Sequence, residues 1–253
     1  MKPKLLLSIL LALLLGVLAA FSQTPAVSEA WAAVRKGFHS WNPEVMKAAR
    51  DRLLAVLLTE KTPNAGHFHG LSVADFRLAS YYLASDNGPE AERYTAEARE
   101  YGRKARELDP GLGESYALDG YLIGVEIALF PERAMSLISE SMQSFQAAFA
   151  KSPANPRVLL LRALSVYYTP EPYGGGPGNA MSILEEAVGL FEKEMGGNPS
   201  PSAWGYEEAC AYLGLCHKSR GDMEKAEALL KKALELAPGY AFAAHELQSL
   251  SRK

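Results

Sequence analysis

His67 and His69 stand two residues apart around Phe68, in a segment flanked by Gly66 and Gly70. Two imidazoles this close in a glycine-flanked loop could share a metal ion. No nearby side chain supplies an obvious third or fourth ligand, and a His-x-His pair often occurs by chance. We therefore predict no metal site, and keep metal binding through these two histidines as the alternative.

A glycine-rich segment, Gly174-Gly175-Gly176-Pro177-Gly178, precedes a predicted helix. Free backbone amides at the start of a helix could hold an anion. The segment lacks the Lys-Ser/Thr ending of a phosphate-binding loop, and no predicted strand leads into it. We predict a tight connector between two helices.

Other catalytic patterns are incomplete. His245-Glu246 lacks the second histidine of a zinc-protease helix, and the sequence contains no Gly-x-Ser-x-Gly. Most of the carboxylates between Glu92 and Glu107 alternate with arginines, as on a solvated helix face. We predict no catalytic residue and no cofactor, with a metal-dependent enzyme as the least favoured alternative.

The two cysteines, Cys210 and Cys216, fall in a segment with helical periodicity. Six residues along a helix separate them by about 9 Å of rise and about 240° of rotation. A disulfide needs Cα atoms within about 7 Å and converging Cβ atoms. We predict two buried thiols, with an intermolecular bridge or a metal site as alternatives.

The N-terminus has the pattern of an export signal. Lys2 and Lys4 precede an apolar run, and the small residues Ala20 and Ser22 follow it. This pattern predicts a signal peptide over residues 1–22, cleaved near Ser22, and a periplasmic or extracellular protein. The alternative is an uncleaved membrane anchor, since the apolar run of 17 residues is close to the minimum length for a membrane span.

Composition and charge narrow the class of protein further. The chain is 48% hydrophobic and 22% charged, which is typical of a globular protein. Its formal charge of -3 would become -5 once two lysines left with the signal peptide, so we predict no nucleic-acid partner. No later segment is apolar enough to span a membrane, and the sequence leaves the oligomeric state open.

The clearest repeat covers residues 207–240. Gly214 permits close approach of two helices, Gly221-Asp222 forms the turn between them, and Pro238 ends the second helix. Ala226 and Ala233 are seven residues apart and therefore share one helix face. Their spacing matches the tetratricopeptide repeat, a helix–turn–helix of about 34 residues.

Weaker copies of the second-helix alanine spacing occur upstream. The second alanine of each copy falls at Ala55, Ala105, Ala148, Ala187 and Ala233. The corresponding first helices are predicted at Glu29–His39, Ala74–Ala84, Glu114–Val125, Arg157–Tyr168 and Glu207–Ser219. The sequence thus predicts an all-α, right-handed superhelix of about five helical hairpins over residues 23–253, with a capping helix at Ala241–Ser251.

The chain resembles exported bacterial tetratricopeptide-repeat (TPR) proteins over nearly all of its mature length. The segment from Tyr167 to Gly176, leading into Asn179-Ala180, is similar to a loop of the repeat proteins that accompany TRAP-type periplasmic transporters. The resemblance implies a non-catalytic scaffold that binds a protein or peptide partner. A small-molecule-binding transporter component is the alternative, although the chain lacks the cysteine for lipidation found in many of those proteins.

In a stack of helical hairpins the first helices form the concave wall. Aligning the repeats places six residues on that wall: Lys36, Arg77, Tyr81, Tyr121, Arg162 and Glu208. Tyrosine and arginine are enriched among residues that anchor interfaces. We predict this face as the partner-binding surface. The alternative for Tyr81 and Tyr121 is packing between neighbouring repeats.

Overall fold

The computed structural model describes residues 25–197 and 203–250, and no strand occurs within these ranges. The helices, numbered in chain order, are α1 (Pro25–Ser40), α2 (Pro43–Thr59), α3 (Ala65–Ala84), α4 (Gly88–Leu108), α5 (Gly113–Leu129), α6 (Ala134–Lys151), α7 (Pro156–Tyr168), α8 (Pro177–Met195), α9 (Tyr206–Ser219), α10 (Met223–Leu236) and α11 (Ala241–Leu250). The all-α solenoid prediction is confirmed.

Consecutive helices pair into five hairpins, α1–α2 through α9–α10, and α11 packs against α10 as the capping helix. Short 3₁₀ turns lie in two of the connections, at Pro131–Arg133 between α5 and α6 and at Glu171–Tyr173 between α7 and α8. No helix in residues 25–197 or 203–250 has the length and apolar character required to cross a bilayer. The predicted signal peptide lies outside these residues.

Side-chain amides and carboxylates mark the helix starts. Asn42 accepts hydrogen bonds from the backbone N–H groups of Glu44 and Val45, at 3.0 and 3.3 Å. The same kind of cap begins four more helices, at Asn64, Asn87, Asn155 and Asp222. These bonds satisfy amides that have no partner within the first turn. Side-chain caps therefore mark the start of five of the described helices, two of which, α3 and α7, begin a hairpin.

The predicted small-residue faces are buried in four of the five second helices. Ala98, Ala105, Ala148, Ala180, Ala187, Ala226 and Ala233 are all fully buried. In the last repeat, a Cβ atom added to Gly214 would lie 3.2 Å from the carbonyl oxygen of Ala226. Small side chains at these positions let paired helices approach closely, as the repeat spacing predicted.

The first repeat departs from this pattern. Ala48 and Ala55 are exposed on α2, and the residues that face the core are Met46, Ala49 and Leu53. Met46 and Leu53 are also seven residues apart, so α2 contains two competing frames. Burying the larger side chains removes more apolar area from water, so the row with Met46 and Leu53 faces the core. The alanine assignment in this helix was therefore wrong.

The two ends of the solenoid touch each other. His39 on α1 lies 2.8 Å from the carboxylate of Glu207 on α9, and Arg35 donates to the carbonyl oxygen of Ala203 at 3.2 Å. The ring of Phe38 packs against that of Tyr240, with centroids 5.5 Å apart. The superhelix consequently closes on itself, and its inner side becomes part of the hydrophobic core.

Candidate functional site

Arg77 and Glu208, both predicted on an open concave wall, lie inside the closed solenoid. The guanidinium of Arg77 donates two hydrogen bonds to the Glu208 carboxylate, at 2.8 and 2.7 Å, and the two residues are 4% and 3% exposed. The Arg77 guanidinium also lies 3.7 Å from the centroid of the Phe38 ring. The inner surface between the second and fifth repeats is therefore filled by the protein's own side chains.

The remaining four predicted residues do not form one surface. Lys36 is exposed on α1, whereas Tyr81 and Tyr121 are half-buried. Tyr81 packs against Trp41, and Tyr121 meets Phe76 edge-on with centroids 5.2 Å apart. Each tyrosine thus contacts an aromatic ring of the preceding repeat, as in the predicted packing alternative. Burial raises the pKa of Tyr121 above its ordinary value.

His67 and His69 lie in the first two turns of α3, so their assignment to a loop was wrong. A two-residue separation turns their side chains about 200° apart around the helix. His67 accepts a hydrogen bond from the backbone N–H of Asn64 and helps cap the helix. His69 contacts Ser115 at 2.8 Å and Glu114 at 3.2 Å, across to α5. The described residues contain no cluster of three or more potential metal ligands.

Glu114, the partner of His69, is held as a carboxylate. Burial alone would raise its pKa, but hydrogen bonds from His69 and Asn155, and the charge of Arg157, lower the pKa to about 2. The side-chain amide of Asn155 donates to Glu114 at 2.8 Å. This cluster joins the start of α3 to the starts of α5 and α7, and therefore stabilises the stacking of three repeats.

The glycine segment is a connector in which three of the glycine amides already donate hydrogen bonds. The N–H groups of Gly174, Gly175 and Gly176 donate to the carbonyl oxygens of Glu171, Pro170 and Val166. A Cβ atom on Gly175 would lie 1.9 Å from the carbonyl oxygen of Thr169. Gly175 is therefore required for close approach, and the positive φ angles belong to Gly174 and Gly176.

Both cysteines are free and fully buried in α9, so the prediction that they do not bond to each other is confirmed. Burial raises the pKa of Cys210 to about 12 and that of Cys216 to about 11. At neutral pH both are thiols, which are poor nucleophiles and poor metal ligands.

A surface that the sequence analysis missed lies along α6. Met135, Ile138 and Met142 are 89%, 46% and 53% exposed, and their three- and four-residue spacing puts them on one helix face. With Ser139, Gln143 and Gln146 they line an open depression of about 430 Å³. We call Met135, Ile138 and Met142 the α6 stripe.

The stripe is exposed because repeats three and four stack unusually. Helices α5 and α7 pack directly against each other. By contrast, α6 touches α7 far less than α2, α4 and α8 touch the first helix that follows each of them. The second helix of the third repeat therefore leans away from the fourth repeat. We call the depression along the α6 stripe, on the helix that has few contacts with α7, the α6–α7 cleft.

Arg162 on α7 borders this cleft. Its guanidinium lies 5.1 Å from the ring centroid of Phe145, a buried residue that packs on α5 and lies one turn beyond Met142. The side chain is half-buried, and burial is the cause that lowers its pKa. In the described part of the chain no carboxylate forms an ion pair with it, whereas Arg157, five residues earlier on the same helix, binds Glu194 through two hydrogen bonds.

These hairpins and their stacking define a TPR-like helical-repeat protein. The tetratricopeptide repeat family profile matches residues 207–240, the repeat predicted as clearest. Among solved structures, the HusA haemophore from Porphyromonas gingivalis is 24% identical, with a TM-score of 0.57, 75% of this chain covered and 94% of that chain covered. At this identity the likeness concerns the fold.

A second solved structure, the APC/C hetero-tetramer Cut9-Hcn1, is 14% identical over 82% of this chain and 46% of that chain. Its TM-score of 0.37 is too low to support an argument about this protein. No curated protein matches the sequence significantly.

The signal for the missed cleft is present in the sequence. Apolar residues recur on α6 at Met135, Ile138, Met142 and Phe149, beyond what one buried face requires. Phe145 and Ala148 already form the face that packs on α5. A helix with a second apolar row beside a packed face indicates either another neighbour or a binding surface.

Proposed function

We propose that the protein is a non-catalytic binding protein that recognises a protein or peptide partner through the α6–α7 cleft. The observation that carries this proposal is the α6 stripe, whose Met135 side chain is 89% exposed. An apolar patch rimmed by Ser139, Gln143 and Gln146 has the composition of an interaction surface. Methionine suits such a surface because its flexible side chain adapts to different partners.

The TPR-like fold supports a scaffold function. Because the superhelix is closed, however, we expect the binding surface on its outside and not on its concave wall. Partner binding at the inner side of the superhelix would have to displace the Arg77–Glu208 pair and the contact between Phe38 and Tyr240. Breaking a buried ion pair is costly. The α6–α7 cleft requires no such rearrangement. Of the six residues predicted for the concave face, Arg162 is the one that we assign to the binding surface.

We also propose that the protein acts in the cell envelope. This part rests on the pattern of Lys2, Lys4 and the apolar run that ends near Phe21, all of which precede the described residues. Fractionation followed by N-terminal sequencing tests it. A mature N-terminus near Gln23 is expected, and an intact Met1 in the cytoplasm would contradict it.

A second candidate is a small-molecule-binding accessory protein, such as a component of a TRAP-type transporter. The observation that favours a small ligand is Arg162, a half-buried cation beside an apolar stripe. A protein of similar fold, HusA, is described as a haemophore. In this case the bound molecule should survive purification and be detected by native mass spectrometry.

Site-specific photo-crosslinking in living cells tests the main proposal. A photoreactive amino acid replaces Met142 in the cleft, Lys36 on α1, or Leu108, an exposed apolar residue at the end of α4. We expect a discrete adduct from position 142 and none from 108. An adduct from position 36 without one from 142 would return the binding surface to the inner side of the solenoid. The same adducts from all three positions would indicate nonspecific contact.

A further inference from the structure

We infer that the α6–α7 cleft binds a single-chain amphiphile, with its apolar chain along the α6 stripe and a terminal carboxylate on Arg162. This inference rests on the second candidate under the proposed function, in which the cleft binds a small molecule, and it names the chemical class of that molecule. It is carried by two observations. The α6 stripe is exposed, and Arg162, which has no ion-pair partner in the described ranges, stacks on Phe145, the buried residue one turn beyond Met142.

Charge is the first step in the argument. The arginines Arg50, Arg77, Arg99 and Arg157 are buried or half-buried, and each binds at least one carboxylate. Arg162 instead stacks on Phe145. Arginine presents a planar fork that matches a carboxylate through two parallel hydrogen bonds. A ligand carboxylate would therefore supply Arg162 with the kind of partner that Arg157 finds in Glu194.

Shape is the second step. The exposed α6 stripe runs from Met135 to Met142, and the buried Phe145, on which Arg162 stacks, lies one turn further along the helix. Met135 and Phe145 are therefore about 15 Å apart at 1.5 Å per residue. With C–C bonds of about 1.5 Å, an extended chain of about ten to twelve carbons has this length. The row is one side chain wide and is rimmed by Ser139, Gln143 and Gln146. This geometry fits a linear chain that lies along the helix.

The number of cations is the third step. Arg162 is the cation placed against Phe145, at the end of the row. Arg133, near the other end of the row, is exposed and pairs with Glu126. A single arginine suits a monoanionic carboxylate, whereas a polyphosphate would require several cations or a row of free amides. In the glycine segment, the N–H groups of Gly174, Gly175 and Gly176 already donate to the carbonyl oxygens of Glu171, Pro170 and Val166.

Binding of dodecanoate, below the concentration at which it forms micelles, tests the inference. Isothermal titration compares it with dodecylammonium, which has the same chain and the opposite charge. We expect the wild-type protein to bind dodecanoate and to bind dodecylammonium at least about tenfold more weakly. The variant Arg162→Gln should weaken dodecanoate binding by about 10- to 100-fold and leave dodecylammonium binding unchanged or improved.

Two matched controls separate the site from general effects. Arg133→Gln removes an exposed arginine outside the cleft and should leave dodecanoate binding unchanged. Met142→Gln should weaken both amphiphiles, whereas Met195→Gln, at an exposed methionine of α8, should weaken neither. Circular dichroism confirms that each variant is folded.

The outcomes distinguish this inference from the proposed function. Dodecanoate binding that is equal in wild type and Arg162→Gln would overturn the inference, as would equal binding of both amphiphiles. No dodecanoate binding, together with an intact crosslink at position 142, would overturn the inference and leave the proposed function standing. Loss of dodecanoate binding together with loss of the crosslink at position 142 would overturn the inference and the proposed function.

Discussion

Arg77 and Arg162 were both predicted on the concave wall, yet they lie in opposite environments. Arg77 is 4% exposed and pairs with a glutamate 131 residues away, where the second and fifth repeats meet. Arg162 is half-buried beside a cleft that opens between the third and fourth repeats, and it stacks on Phe145. The comparison teaches that an arginine predicted on the wall can stabilise the solenoid at one junction, whereas another can be available to a ligand at a different junction.

The largest predicted effect concerns the closed junction, where the second and fifth repeats meet through Arg77 and Glu208. Glu208→Gln removes the charge that compensates the buried Arg77 guanidinium, so we expect the free energy of unfolding to fall by about 3–5 kcal/mol. Urea denaturation of the purified protein measures it. The variant Arg77→Met combined with Glu208→Leu should recover most of the loss, because it removes both charges together.

The matched substitution at the open junction, between the third and fourth repeats, should have a much smaller effect on the free energy of unfolding. Arg162→Gln removes a charge that burial already penalises, and it leaves no carboxylate without a partner. We expect its free energy of unfolding to stay within about 0.5 kcal/mol of wild type. A loss at Arg162 as large as that at Glu208 would contradict the distinction between the two junctions.

A second prediction uses pH to probe the packed part of the solenoid. The pKa of Glu114 is lowered from 4.5 in the unfolded chain to about 2 in the folded protein. Its contribution is therefore fully present above pH 4.5 and is lost as the pH falls toward 2, with a total of about 3 kcal/mol. Glu114→Gln should lose this contribution and show a flatter dependence of stability on pH between 4.5 and 2.

Denaturant unfolding at a series of pH values measures this effect. Glu171→Gln, at an exposed residue of the α7–α8 connection, is the control and should keep the wild-type slope. If Glu114→Gln also kept the wild-type slope, the carboxylate would not be stabilising the contact between α3, α5 and α7.

A third prediction concerns the connector that follows α7. Gly175→Ala would place a Cβ atom 1.9 Å from the Thr169 carbonyl oxygen, so we expect a loss of about 1–3 kcal/mol. Gly178→Ala adds the same methyl group where no atom lies within 4 Å, and should be neutral or slightly stabilising. Thermal unfolding of both variants compares them. Equal melting temperatures would show that the connector relaxes around the added methyl group.

The hairpins were predictable from sequence because their signals are local. Paired alanines, asparagine caps and stop prolines all act within a few residues of one another, and four of the five alanine faces were assigned correctly. The buried face of α2 was assigned wrongly, because Met46 and Leu53 form a second row with the same spacing as the alanines. His67 and His69 were assigned to a loop because the flanking glycines were given more weight than the apolar periodicity that continues into α3.

The two junctions could not be predicted in the same way. Closure depends on small rotations that accumulate from one repeat to the next, so pairs such as Arg77–Glu208 and His39–Glu207 connect residues far apart in sequence. The α6–α7 cleft depends on how far one helix leans from the following repeat. Neither quantity is encoded in a motif, although the second apolar row of α6 is readable in the sequence.

The smallest predicted effect distinguishes a binding surface from a core. Met142 is 53% exposed on α6 and Met181 is 5% exposed on α8, so the same substitution tests both environments. Met181→Gln buries an amide in the core and should lower the free energy of unfolding by about 2–4 kcal/mol. Met142→Gln should change it by less than about 0.5 kcal/mol, since its side chain already meets water. Urea denaturation measures both, and a large loss at Met142 would mean that the α6 stripe is packed in solution, which would leave no open cleft for a partner or an amphiphile.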